Sequence, residues 1–154
     1  MIDREGRILV PLQYDDMNEF SLEEKILAWQ LNNKWGFSDS LGHFITPIQY
    51  QRPYILYHNF PDGLGEVNKD GQWGFINVHG IEVIPCKYEN ERSFGEGLAA
   101  VKMNGKYGFI NPKGKIVIPF RYDEADIFKD GLCEVTLNGK NFQIDKKGRE
   151  INFK

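Results

Sequence analysis

Two cysteines, three methionines and three histidines in 154 residues leave little of the chemistry those side chains carry. A disulfide framework is therefore excluded as the organising device, and a chain of this length, which buries roughly 70% of its unfolded surface, needs no such staple. Charge of one sign is also missing. The 19 Lys+Arg stand against 22 Asp+Glu, a formal net charge of -3, which supplies no counterion-release drive toward nucleic acid or anionic lipid. No apolar run approaches the roughly 18 residues of a membrane span, and the residues from Met1 to Gly6 lack the basic and apolar regions of a signal peptide. The expectation is a cytoplasmic chain with neither membrane nor nucleic acid among its partners. What is present, 41% hydrophobic and 14% aromatic residues, suits one folded domain over 1–154.

That domain repeats itself. Gly97-Leu98-Ala99-Ala100-Val101-Lys102-Met103-Asn104-Gly105-Lys106-Tyr107-Gly108-Phe109-Ile110 lies over Gly131 to Ile144 at a constant offset of 34. Pro11, Pro47, Pro85 and Pro119 are spaced by 36, 38 and 34, and Tyr14, Tyr50, Tyr88 and Tyr122 keep the same intervals. The copies run approximately over 1–34, 35–72, 73–106, 107–140 and 141–154, with the terminal ones partial or degenerate. Asn32-Asn33, Asp70-Gly71, Asn104-Gly105 and Asn138-Gly139 are two-residue hairpin signals, because both central residues of a type I′ turn need positive φ. Second turns fall at Glu5-Gly6, Leu41-Gly42, His79-Gly80, Lys113-Gly114 and Lys147-Gly148. Each copy is thus expected to be a three-stranded antiparallel meander of about 34–38 residues with an irregular return, its third strand stopped by the proline.

Alternation assigns the faces. On the first strand, Leu27/Trp29/Leu31, Gly65/Val67/Lys69, Ala99/Val101/Met103 and Cys133/Val135/Leu137 are expected to face the core. On the second, Trp35/Phe37, Trp73/Phe75 and Tyr107/Phe109 alternate with Gly36, Gly74 and Gly108, so another strand or ring should approach the bare backbone. The third strand is apolar on both sides at 81–84 and 116–118, implying cover from the return or the next copy. Ser21-Leu22-Glu23-Glu24 has the form of a helix-opening capping box. Register nevertheless makes Ile26–Leu31 a strand and confines any helical turn to 21–25.

With these residues the chain resembles the bacterial WG-repeat family, whose pattern Trp73-Gly74-Phe75-Ile76-Asn77 to Ile84-Pro85-Cys86-Lys87-Tyr88-Glu89 follows almost position by position. Two copies depart from it, with Tyr107 for Trp and Asn141-Phe142 for Trp-Gly. The resemblance implies a small all-β repeat scaffold with no shared catalytic motif. The meanders are expected to form an open or partly closed array, with a propeller-like ring as the alternative.

Candidate chemistry is sparse. His43, His58 and His79 occupy turns or the return without metal-ligand spacing, so neither metal nor cofactor is expected. Cys133 fills a core-facing slot, and Cys86 is a solitary thiol with no adjacent base. The acid or amide after each repeated tyrosine, at Asp15, Gln51, Glu89 and Asp123, recurs too often for an active site and suits capping of loop N–H groups. The return from Tyr50 to Gly63 takes 13 steps against 9 in the next two copies. Its insertion is aromatic and poor in charge, which makes Tyr54, Tyr57, His58 and Phe60 the candidate binding residues. The expected function is a non-enzymatic module that binds a protein partner, an immunity or adaptor role being one special case. Carbohydrate or cell-wall polymer binding through exposed aromatics is the alternative, and hydrolysis by acidic returns the least favoured.

Overall fold

The computed structural model describes residues 14–21, 26–51 and 61–151, and among them every regular element longer than one turn is a β-strand. The first sheet contains β1 (Asp16–Ser21), β2 (Ile26–Leu31), β3 (Lys34–Ser38) and β4 (Phe44–Tyr50) in that order. The second contains β5 (Leu64–Lys69), β6 (Gln72–Asn77) and β7 (Glu82–Tyr88). The third runs β8 (Asn90–Glu91), β9 (Ala99–Met103), β10 (Lys106–Ile110), β11 (Ile116–Tyr122). The fourth runs β12 (Glu124–Ala125), β13 (Leu132–Leu137), β14 (Lys140–Asp145), β15 (Glu150–Ile151). All pairings are antiparallel, and Ile26–Leu31 is the strand that register required.

Three sheets therefore have four strands where three were expected. The extra strand comes from the return, which pairs with the first strand of its own copy through Asn90↔Lys102 and Glu124↔Thr136, and through the Gln51↔Asn68 bridge in the second sheet. Nor is the return irregular at its end. Glu96-Gly97 and Asp130-Gly131 both have positive φ and link the bridges Gly95↔Leu98 and Lys129↔Leu132, making further type I′ turns. The expected turns at Asn32-Asn33, Asp70-Gly71, Asn104-Gly105 and Asn138-Gly139 also have positive φ at both positions. Ser21 closes β1, and the rest of the capping-box segment, 22–25, lies outside the described residues.

The glycine of each Trp-Gly pair and the proline of the third strand belong to one device. A Cβ on Gly74 would stand 2.5 Å from the Ile84 carbonyl oxygen and 2.7 Å from the Cys86 nitrogen; on Gly108 it would meet Ile118 and Phe120 in the same way. The backbone around Pro85 presses onto Gly74 because β7 bulges there: two steps along β6, from Trp73 to Phe75, face four along β7, from Tyr88 to Ile84. So proline does not stop the third strand, as expected, but sits at its centre in a bulge. That is tolerated because β4, β7 and β11 are edge strands, where the missing N–H breaks no ladder.

Three core clusters join neighbouring sheets. Ala28, Phe37, Val67 and Ile76 link the first and second; Leu64, Phe75, Val101 and Ile110 the second and third; Ala100, Phe109, Val135 and Ile144 the third and fourth. No cluster of described residues joins the first sheet to the fourth, and no sheet closes into a barrel, so the array is open. The faces assigned to the first strands supply Val67, Val101 and Val135 to the core, but in the first sheet it is the opposite face, Ile26 and Ala28, that does so, and in the central sheets both faces are buried. Val101 points to the second sheet while Ala100 points to the fourth. Phenylalanines from the returns complete the stacking edge to face, Phe94 on Phe75 at 4.9 Å and Phe128 on Phe109 at 5.0 Å.

Candidate functional site

The insertion residues Tyr54, Tyr57, His58 and Phe60 lie outside the described residues. In the repeat register Phe60 corresponds to Phe94 and Phe128, both buried at 2% exposure. Tyr54 and Tyr57 have no such counterpart and fall within the four-residue excess of this return.

The recurring acids are committed to structure. Asp15 accepts a hydrogen bond from the Asn32 N–H at 2.7 Å, Glu89 from Gly105 at 3.0 Å, and Asp123 from Asn138 at 2.6 Å, so each ties a return to the first hairpin of its sheet. Lys106 also pairs with Asp123 and holds that carboxyl below the usual range. A second series starts the other turns: Asp39, Asn77, Asn111 and Asp145 each accept two backbone N–H bonds near 3.0 Å. A third runs between sheets, from Asp62 to the Gly97 N–H at 2.8 Å and from Glu96 to the Gly131 N–H at 3.1 Å. Lys146 adds an ion pair to Glu96 at 2.9 Å.

The cysteines and histidines have similarly plain surroundings. Cys133 is buried and Cys86 half-buried; burial first, and then the Glu82 charge in the case of Cys86, push both thiols up to about 11. That is opposite to the shift a nucleophilic thiolate needs. His43 is exposed and paired with Asp39 at 2.9 Å, His79 is exposed in its turn, and His58 lies outside the described residues. Among the described residues no group of three His, Cys, Asp or Glu could hold a metal ion.

Two features were not foreseen. The third strands, expected to be covered on both sides, are covered on one, where Ile84 and Ile118 are 1% exposed in the inter-sheet clusters; on the other, Ile45, Val83 and Val117 are 36%, 40% and 43% exposed along an open edge. These three hold one repeat position, two residues before Pro47, Pro85 and Pro119, which are themselves exposed. Isoleucine or valine followed by proline thus recurs on the same edge of three successive sheets. Edge position was the missing information, since sequence alternation alone cannot tell a covered strand from an open one.

The second feature is a cleft of about 460 Å³ at the opposite, return-side edge, lined by Glu66, Trp73, Asn90, Glu91, Arg92, Ser93 and Ile127. Glu66 is only 7% exposed, and its Oε1 and the Oε2 of Glu91 are buried without a hydrogen-bond partner. Burial, then the neighbouring Glu66 charge, raise the Glu91 carboxyl from 4.5 to about 8, and Arg92 opposes them only in part. A signal for this pair exists in the repeat. The Glu66 position holds Ala28 and Ala100 in other inter-sheet contacts, and the Glu91 position holds Ala125 in the following copy.

A succession of small antiparallel sheets whose core clusters each join two neighbours, with turn-capping side chains recurring from copy to copy, defines a tandem β-repeat protein. The particular family follows from the sequence match: residues 1–35, 35–73, 73–107 and 107–140 each fit the family described as WG containing repeat, and the chain belongs to that family. The matches after the first open in β3, β6 and β10 and end at the start of β6, β10 and β14, each thus running from one sheet into the first hairpin of the next. No curated protein matches the chain.

Proposed function

We propose that the chain is a non-enzymatic binding module that docks a protein partner along the edge formed by β4, β7 and β11. The observation that carries this reading is the recurrence of an exposed Ile or Val and an exposed Pro on that edge of three sheets. Apolar side chains repeated in line offer area for desolvation on contact, and the rigid proline rings lose little entropy when ordered. The bulges and prolines also disfavour addition of a foreign strand, so recognition would proceed through side chains. Carbohydrate binding through repeated solvent-facing rings has less support, because Trp35, Phe37, Phe75, Tyr107 and Phe109 are all buried. Hydrolysis through the returns has less support still, since Asp15, Glu89 and Asp123 are occupied with turn N–H groups.

Affinity capture from the native cell, followed by crosslinking and mass spectrometry, tests the proposal. A partner crosslinked to the β7 and β11 edges should be lost with Val83→Glu/Val117→Glu. Tyr54→Ala/Tyr57→Ala assigns the insertion to the same surface or to none. Equal recovery by all three baits, or a glycan-array signal with empty capture, would discard the protein-docking reading.

A further inference from the structure

We propose that the cleft between the second and third sheets is a binding site for an alkylammonium group, seated between the carboxyl groups of Glu66 and Glu91 with its carbon chain along Trp73 and Ile127. There it takes the place of the proton that Glu91 otherwise holds. The site is independent of the docking edge, because β8 and β11 stand at opposite edges of the third sheet.

The argument starts from two equivalent contacts. Between the third and fourth sheets, Ala100 and Ala125 meet in one apolar cluster and are 1% and 6% exposed. Between the second and third sheets, the same two repeat positions carry Glu66 and Glu91. Both partners of one contact carry a carboxylate side chain where the other has a methyl, and both line a cleft of about 460 Å³, against about 260 Å³ for the cleft beside Ala125. A fold that needed only packing here had the alanine solution available in its own next copy.

The donor inventory then selects the ligand class. Each glutamate presents a buried oxygen with no donor assigned to it, and unmet buried acceptors of this kind are costly. Arg92, the cation that lines the cleft, donates instead to the Glu91 carbonyl oxygen at 3.1 Å and lies over the Tyr107 ring at 5.8 Å. A divalent metal is a poor fit, since calcium takes six to eight oxygen ligands and only two carboxylates line the cleft. A primary ammonium carries three N–H donors, enough for Glu66, Glu91 and the Ser93 hydroxyl. Trp73, half-buried on the same cleft, offers an indole face to the cation and its methylenes. Such a group arrives either on a free diamine or on a lysine side chain of another protein.

The test is a titration of the full chain above the Glu91 midpoint of about 8, where alkylamines are still charged, followed by amide and indole NMR shifts, with three organic probes. These are 1,5-diaminopentane, a blocked Gly-Lys-Gly peptide and, as the uncharged control, pentane-1,5-diol. Saturable shifts at Trp73, Glu91 and Ser93 with either amine are expected, together with at least a tenfold weakening in Glu66→Gln and in Glu91→Gln, about the loss of one charge-assisted contact. Both variants keep side-chain shape, and their unchanged dispersed spectra separate loss of binding from loss of fold. The tighter of the two amines identifies the source. Equal response to the diol, equal affinity in the glutamine variants, tighter binding of calcium chloride, or no saturation at tens of millimolar amine would each overturn the site.

Discussion

The contact between the second and third sheets and the contact between the third and fourth are built on the same backbone plan and differ in what fills it. Each has a phenylalanine from the return stacked on a phenylalanine of the preceding sheet, and each has an acid-to-glycine hydrogen bond bridging the sheets. At the second contact two alanines lie in the core cluster beside a cleft of about 260 Å³; at the first, two glutamates line a cleft of about 460 Å³. Backbone geometry in this repeat is therefore set by glycine, proline and turn chemistry, while the stacking positions remain free to carry polar groups. Stability and recognition are assigned to different residues of the same unit.

The largest expected effect tests the shared plan. Gly74→Ala and Gly108→Ala both force a Cβ into neighbouring backbone, and each should lose about 3 kcal/mol or more in denaturant unfolding. A large loss in one sheet and none in the other would show that the two contacts are not equivalent. Next comes transplantation of the glutamate: Ala100→Glu should cost about 2–4 kcal/mol, because Ala100 is 1% exposed in an apolar cluster with Phe109 and Val135. The reciprocal change, Glu66→Ala/Glu91→Ala, should raise stability by about 1–2 kcal/mol at neutral pH, which at this chain length moves Tm by about 2–4 °C per kcal/mol.

A smaller effect distinguishes the contacts by pH. Folded Glu91 keeps its proton up to about 8, while the unfolded carboxyl releases it near the ordinary 4.5. Between these values the folded chain binds more protons than the unfolded one, so stability is full below the lower pH and falls as pH rises through the upper. Thermal melts should show this decline in the native chain and lose it in Glu91→Gln. The smallest effect lies outside both contacts. Lys34→Met removes an exposed pair with Asp70, 3.4 Å apart, and should change stability by about 0.5 kcal/mol or less.

Much of the backbone plan was legible because it rests on local rules. Asn-Gly and Asp-Gly announce type I′ turns, and the Trp-Gly spacing foretold a close approach at Gly74, later found to be the Pro85 bulge. Asp62-Gly63 and Asp130-Gly131 carry the same turn signal, and reading them that way would have revealed that the return is a strand-and-turn element. What local rules cannot supply is which strand ends up at an edge. Val83 has a core composition and an exposed place, because it stands on the outer face of β7, an edge strand whose other face carries the buried Ile84 and Tyr88. The glutamate pair was hidden for a related reason: Glu66 and Glu91 are distant in sequence, and only the stacking of copies turns two unremarkable exchanges into one site.

The most direct measurement is a carboxyl carbon NMR titration of Glu91 in the native chain and in Glu66→Gln. Two buried carboxyls facing one cleft predict a Glu91 midpoint near 8 that moves down when the Glu66 charge is removed. A midpoint at the ordinary 4.5, unmoved by Glu66→Gln, would mean that water reaches both groups and that the contact between the second and third sheets holds no desolvated pair.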